Sequence, residues 1–128
     1  MVKTPADKWK ATIAKYRRQC QDILKLSKNI RYSGVINNYG RTLTGIVRPD
    51  LKPLLKPEQV KNEFFIVSTL MSLRKESVLT VGKLEHAVLH HQKVMIVLLQ
   101  KKNVTYYVSI NKKEKNLEKI ISSIKKII

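Results

Sequence analysis

The stretch Ile30-Arg31-Tyr32-Ser33-Gly34-Val35-Ile36-Asn37, followed by Asn38-Tyr39-Gly40, decides how the rest of the chain is read. Tyr32, Gly34 and Ile36 alternate with Arg31, Ser33 and Val35, the period of two that a strand imposes on its faces. A glycine in mid-strand marks close approach by another backbone or side chain. Asn37-Asn38-Tyr39-Gly40 reads as a turn, because Asn and Gly tolerate positive φ. Arg41–Val47 is then the return strand of a hairpin.

Upstream of this hairpin, Thr4-Pro5-Ala6-Asp7 reads as a helix start. Thr4 can cap, Pro5 suits the first helical position, and Asp7 sits where a capping acid belongs. Trp9, Ile13, Tyr16, Cys20 and Ile23 or Leu24 recur at helical spacing, with Lys8, Lys10, Lys15, Arg17, Arg18 and Lys25 off that stripe. The spacing predicts a helix over Pro5–Leu26, ended by Ser27-Lys28-Asn29. Downstream, Pro49, Pro53 and Pro57 restrict their predecessors to extended conformations. Arg48–Lys56 is therefore a loop, with Leu51, Leu54 and Leu55 expected against the core.

Pro57-Glu58 opens a second helix with a stripe of Val60, Phe64, Val67 and Leu70 or Met71. Phe65, Ile66 and Leu73 widen the apolar surface beyond one face, so this helix is either deeply buried or covered by a partner. Arg74-Lys75-Glu76 closes it, the two cations complementing the helix dipole. Lys83–His90, Val94–Leu99 and Val104–Ile110 read as strands, the second as a continuous central strand and the third on β-branched and aromatic content. Lys101-Lys102-Asn103 turns between the last two. Asn111 is placed to cap a final helix with Glu114 as its capping-box partner, and Leu117, Ile120, Ile121, Ile124 and Ile128 form its stripe. Lys112, Lys115, Lys119 and Lys126 then fall within about 60° of arc on the opposite face. Antiparallel hairpins with helices between them imply an α+β sandwich of two or three layers.

Composition narrows the function classes. A chain of 128 residues points to one domain, 1–128, large enough to fold without a disulfide or metal staple. The 26 Lys and Arg outnumber nine Asp and Glu, a formal net charge of +17, far above the roughly 2–8 units suited to a small soluble domain. Eight cations and two acids lie in residues 1–29, and again in 101–128, so the termini carry most of the excess. Single Cys20 excludes an internal disulfide and reads as a small apolar filler. No apolar leader stands at the N-terminus and the longest apolar run, Val94–Leu99, is too short to span a bilayer. A soluble, cytoplasmic protein is expected, with membrane binding through Asn111–Ile128 disfavoured because that stripe lacks Trp and Phe. Phosphate-loop, dinucleotide and nucleophile-elbow motifs are absent, so no catalytic residue and no cofactor is assigned. His86, His90 and His91 make a poor metal set, since in a strand the first two stand roughly 13 Å apart and the last two point to opposite faces.

The run Ile23-Leu24-Lys25-Leu26-Ser27-Lys28-Asn29 through Asn37, then Gly40-Arg41, resembles an archaeal group of small roadblock / dynein light-chain domains, relatives of the longin and profilin-like folds. Pro53-Leu54-Leu55 and Arg74-Lys75-Glu76 also resemble it, and the likeness spans about residues 20–110. It departs from that group in the second strand, Leu43–Val47, which lacks the group's paired glycines, and in its charge. The resemblance implies an αββαβββα sandwich. Its five-stranded antiparallel sheet would carry the two terminal helices on one face and the middle helix on the other. It implies a non-enzymatic scaffold or regulatory module, paired as a homodimer or with a related roadblock-like chain, and serving a small GTPase or signalling complex. The pairing helix would present Val60, Phe64, Phe65, Val67, Leu70, Met71 and Arg74. The +17 raises an alternative: a nucleic-acid-associated protein gripping phosphate backbone without reading sequence, through Lys15, Arg18, Lys112, Lys115, Lys119 and Lys126. A ligand held against the sheet is a further possibility, for which no convergent polar set stands out.

Overall fold

A computed structural model describes residues 2–128. The elements run α1 (Pro5–Leu24), β1 (Ile30–Asn37), β2 (Thr42–Val47), α2 (Pro57–Arg74), a 3₁₀ turn (Lys75–Ser77), α3 (Val78–Val81), β3 (Ala87–His90), β4 (Val94–Lys101), β5 (Val104–Asn111) and α4 (Leu117–Ile127). The five strands form one antiparallel sheet in the order β2-β1-β5-β4-β3. This leaves β2 and the four-residue β3 as edges.

Two cores lie on opposite faces. On one, Cys20 and Ile23 of α1 and Ile120, Ile121 and Ile124 of α4 pack with Val35, Val97, Leu99, Tyr106 and Val108. On the other, Phe64, Val67 and Met71 of α2 pack with Ile36, Ile96, Leu98 and Tyr107. The alternation along β5 sends Tyr106 to one layer and Tyr107 to the other, as the strand period requires. The expected α+β sandwich, terminal helices on one face and the middle helix on the other, is what forms.

Side chains lock the layers. Thr4 Oγ1 accepts from the Asp7 amide at 3.1 Å and the Asp7 carboxylate accepts from the Thr4 amide at 3.2 Å, a complete capping box on α1. The other end of α1 has no basic residue in its last turn. Arg48, just past β2, supplies one: it donates to the carbonyls of Leu24 at 2.6 Å, Ser27 at 2.9 Å and Ile30 at 2.7 Å. The Leu24 carbonyl closes α1, where the helix dipole favours a cation, and the other two lie in the turn and at the start of β1. Tyr106 donates to Gln19 Oε1 at 2.6 Å, tying β5 to α1 within the core.

Three local expectations are corrected. The final helix starts at Leu117 rather than Asn111, because Glu114 does not cap it. Glu114 instead accepts from the Ser27 hydroxyl, from Asn29 Nδ2 at 3.3 Å and from the amides of Lys115 and Asn116, clamping the 111–116 turn onto the α1–β1 turn. Leu54 and Leu55 are exposed rather than tucked against the core. Trp9 is 55% exposed, because the packed layer takes in α1 from Tyr16 onward and leaves its first turns overhanging.

Candidate functional site

Helix α2 carries apolar residues on more than one side, and the structure splits them in two. Phe64, Val67, Ser68 and Met71 are buried against the sheet, with Val60 partly covered. About half a turn away, Ile66 is 60% exposed and Leu73 55%, with Phe65, 61% exposed, on one flank and Leu70 on the other. Four of the seven residues expected on a pairing surface, Val60, Phe64, Val67 and Met71, therefore belong to the chain's own core. Phe65, Leu70 and Arg74 stay outside it. Ile66 and Leu73 join them, and their position follows only once one face of the helix is committed to the sheet.

The outward face extends in both directions. At its C-terminal end, Val78, Leu79 and Val81 of α3 are exposed, in a segment whose sequence carries no strand or helix periodicity. Nearer its N-terminal end, the β1–β2 turn presses on the α2 backbone. A Cβ on Gly40, whose φ is +81°, would lie 2.7 Å from the Phe65 amide nitrogen, so only glycine fits there. The exposed Tyr39 is its neighbour. Exposed apolar side chains therefore lie on α2 and beyond both ends of its outward face.

Beneath α2 lies an aromatic cluster. Tyr32 packs on Phe64 with ring centroids 6.2 Å apart and on Tyr107 at 6.0 Å, and Phe64 meets Tyr107 at 4.9 Å. Gly34 of β1 pairs directly with Gly45 of β2. A Cβ on either would fall 2.3 or 2.2 Å from the Tyr32 hydroxyl oxygen. Tyr32 therefore lies flat on a two-glycine floor, which is the close approach that Gly34 signals in the sequence. Burial pushes the Tyr32 phenol up to about 12. Burial also raises the Tyr107 phenol, reinforced by the Glu63 carboxylate that accepts its hydrogen bond at 3.0 Å.

The basic residues are arranged differently from expectation. Lys15 and Arg18 on α1 and Lys119 and Lys126 on α4 are exposed, and the two helices touch. Lys112 and Lys115, however, lie in the 111–116 turn and off α4, so the four lysines do not share a helical face. Lys112 Nζ instead sits 3.3 Å from His90 Nδ1 at the end of β3. His86 precedes β3 rather than lying within it, and no group of three His, Cys, Asp or Glu among the described residues is placed to hold a metal. Cys20 is wholly buried, and burial raises its thiol pKa. No helix among the described residues is long and apolar enough to cross a membrane.

No protein-family model matches the sequence, and no curated protein matches it in sequence. Solved structures do. A roadblock/LC7 domain from Streptomyces avermitilis superposes with a TM-score of 0.66 at 9% identity, over 86% of this chain and 88% of that one. The chain has the roadblock/LC7 fold. The gliding protein MglB from Thermus thermophilus matches with a TM-score of 0.66 at 10% identity, over 90% of this chain and 89% of its own. An MglB in a tetrameric arrangement matches with a TM-score of 0.65 at 12% identity, over 89% of this chain and 90% of its own. These likenesses establish the shared fold.

Proposed function

We propose that this chain is a non-enzymatic, dimeric roadblock-like scaffold or regulatory module of the cytoplasm, pairing with itself and presenting the pair to a small GTPase or signalling complex. The observation that carries the reading is the outward face of α2, where Phe65, Ile66 and Leu73 stand in water on a helix whose other face already fills the core. Leaving three large apolar side chains exposed on a chain with a +17 charge is unfavourable unless something covers them.

The helix alone is too small to hold a pair together. At 1.5 Å per residue the 18-residue α2 is about 27 Å long, and at about 10 Å wide it offers only about 270 Å² of footprint. A stable interface buries roughly 800 Å² per partner. The exposed Val78, Leu79 and Val81 and the open edge of β3 adjoin α2 in the chain and supply the remainder. Sheet edge and helix would then pair together in a two-fold arrangement, each patch meeting its own copy. The low charge of this region fits: residues 65–100 carry four cations and two acids, so two copies meet with little repulsion. The shared fold with MglB, one form of which is tetrameric, supports self-association.

Amide hydrogen exchange at two protein concentrations tests the reading. Segments covering 62–74, 78–81 and 87–90 should gain protection as concentration rises, while α1 and α4 should not change. Concentration-dependent protection on α1 and α4 instead would replace this interface with the basic one.

A further inference from the structure

A cleft of about 390 Å³ opens between the sheet, the N-terminal half of α2 and the 48–56 loop. That volume lies within the range of small-molecule sites, roughly 300–1,000 Å³. Its three walls come from different parts of the chain: Tyr32, Val47 and Ser109 from the sheet, Phe64 from α2, Leu54 and Leu55 from the loop. The loop leucines that the sequence placed in the core are exposed because they face this space. The paired glycines explain why the space exists. They let Tyr32 lie down on the sheet, so the ring becomes floor rather than filling.

The polarity of the cleft is uneven. Most of the wall is apolar, and Arg31 is the only charged residue in it among the described residues. One Arg31 Nη donates to the Lys52 carbonyl at 2.9 Å, which fixes the guanidinium against the loop. Its other N–H groups, the Tyr32 hydroxyl and the Ser109 hydroxyl make no side-chain hydrogen bond among the described residues. Ser109 stands directly across from Tyr32 in the β1–β5 register, next to Arg31, so these two donors share one end of the cleft, while the Tyr32 ring runs from there over Gly34 and Gly45 and carries its hydroxyl away from them. No carboxylate among the described residues lines the cleft, and the nearest acid used by its wall, Glu63, already accepts from Tyr107.

We propose that this cleft binds a small amphipathic carboxylate, its anionic head on Arg31 and Ser109 and its apolar body over Tyr32 and Phe64 beneath Leu54 and Leu55. An apolar body answers the wall, and a fixed guanidinium with free donors selects a carboxylate head by charge-assisted hydrogen bonds. The site lies beside the outward face of α2 and does not depend on pairing.

Isotope-labelled full-length protein titrated with decanoate, and separately with decanol, tests it by amide shifts. Decanoate should saturate a single site and move the Tyr32 and Ser109 amides. Arg31→Gln should weaken decanoate about tenfold, the loss of one charge-assisted contact, and leave decanol unchanged. Val60→Trp should abolish both by filling the cleft. If that variant does not fold, Leu55→Trp on the exposed loop serves the same purpose. Phe65→Ser, outside the cleft, should alter neither. Shifts centred on Phe65, Ile66 and Leu73, equal loss of decanoate and decanol in Arg31→Gln, or no saturable binding would each overturn the proposal.

Discussion

Gly45→Ala should destabilise the fold by about 1–3 kcal/mol, although alanine is ordinarily the better strand residue. The new methyl would sit 2.2 Å from the Tyr32 hydroxyl oxygen and 2.9 Å from Cζ. The ring must lift by about an ångström or more to reach ordinary contact. It cannot do so freely, because Phe64 and Tyr107 hold it at 6.2 and 6.0 Å. Overpacking of this kind costs about 1–3 kcal/mol, and a disturbed aromatic pair about 0.5–1.5 kcal/mol. The intrinsic gain of alanine over glycine offsets about 0.5–1 kcal/mol of that. Urea unfolding reads the result as a lower midpoint with an unchanged slope. The same change in a Tyr32→Ala background meets no ring, so it should there be neutral or stabilising. A Gly45→Ala variant as stable as the parent, or losses that simply add in the double variant, would refute the flat-ring floor and with it the origin of the cleft.

Other outcomes follow from the same contacts. Arg48→Met leaves three carbonyls without their charged donor and should lower stability by about 2–4 kcal/mol, read by urea unfolding. Glu114 is held below the ordinary carboxylate range by the Ser27 hydroxyl and then by the Asn116 amide. Its contribution is therefore complete above the unfolded value of about 4.3 and is lost as pH falls through the lower folded value. Glu114→Gln should flatten the stability–pH curve in that acid window. Phe64→Ala should cost about 3–5 kcal/mol as a core truncation, whereas Phe65→Asp should leave the thermal midpoint nearly unchanged and weaken self-association, read by circular dichroism and light scattering together.

Strand β1 is read from sequence with its observed bounds, since alternation and the Asn37-Asn38-Tyr39-Gly40 turn are local signals. The α+β sandwich follows from element order once that hairpin is fixed, whereas the placing of the helices on its two faces comes with the resemblance to roadblock domains. What escapes is non-local. Glu114 has the spacing of a capping box, but Ser27 and Asn29, 87 and 85 residues away in sequence, outcompete the helix for its oxygens. Phe64 and Phe65 are equivalent in a helix whose apolar residues spread beyond one side until the sheet chooses one of them. Gly45 looks like an ordinary strand glycine until Tyr32, brought beside it through register alone, lies across it. The Lys83–His90 strand shrinks to Ala87–His90 because the residues before it carry too little alternation to extend the pairing with β4.

Sedimentation equilibrium of the full-length chain at tens of micromolar tests most directly whether the outward face of α2 is a pairing surface. The expected mass is twice that of the 14.8 kDa chain, returning to one chain in Phe65→Asp with its helix content intact. A wild-type protein that sediments as a 14.8 kDa monomer across that range would contradict the pairing.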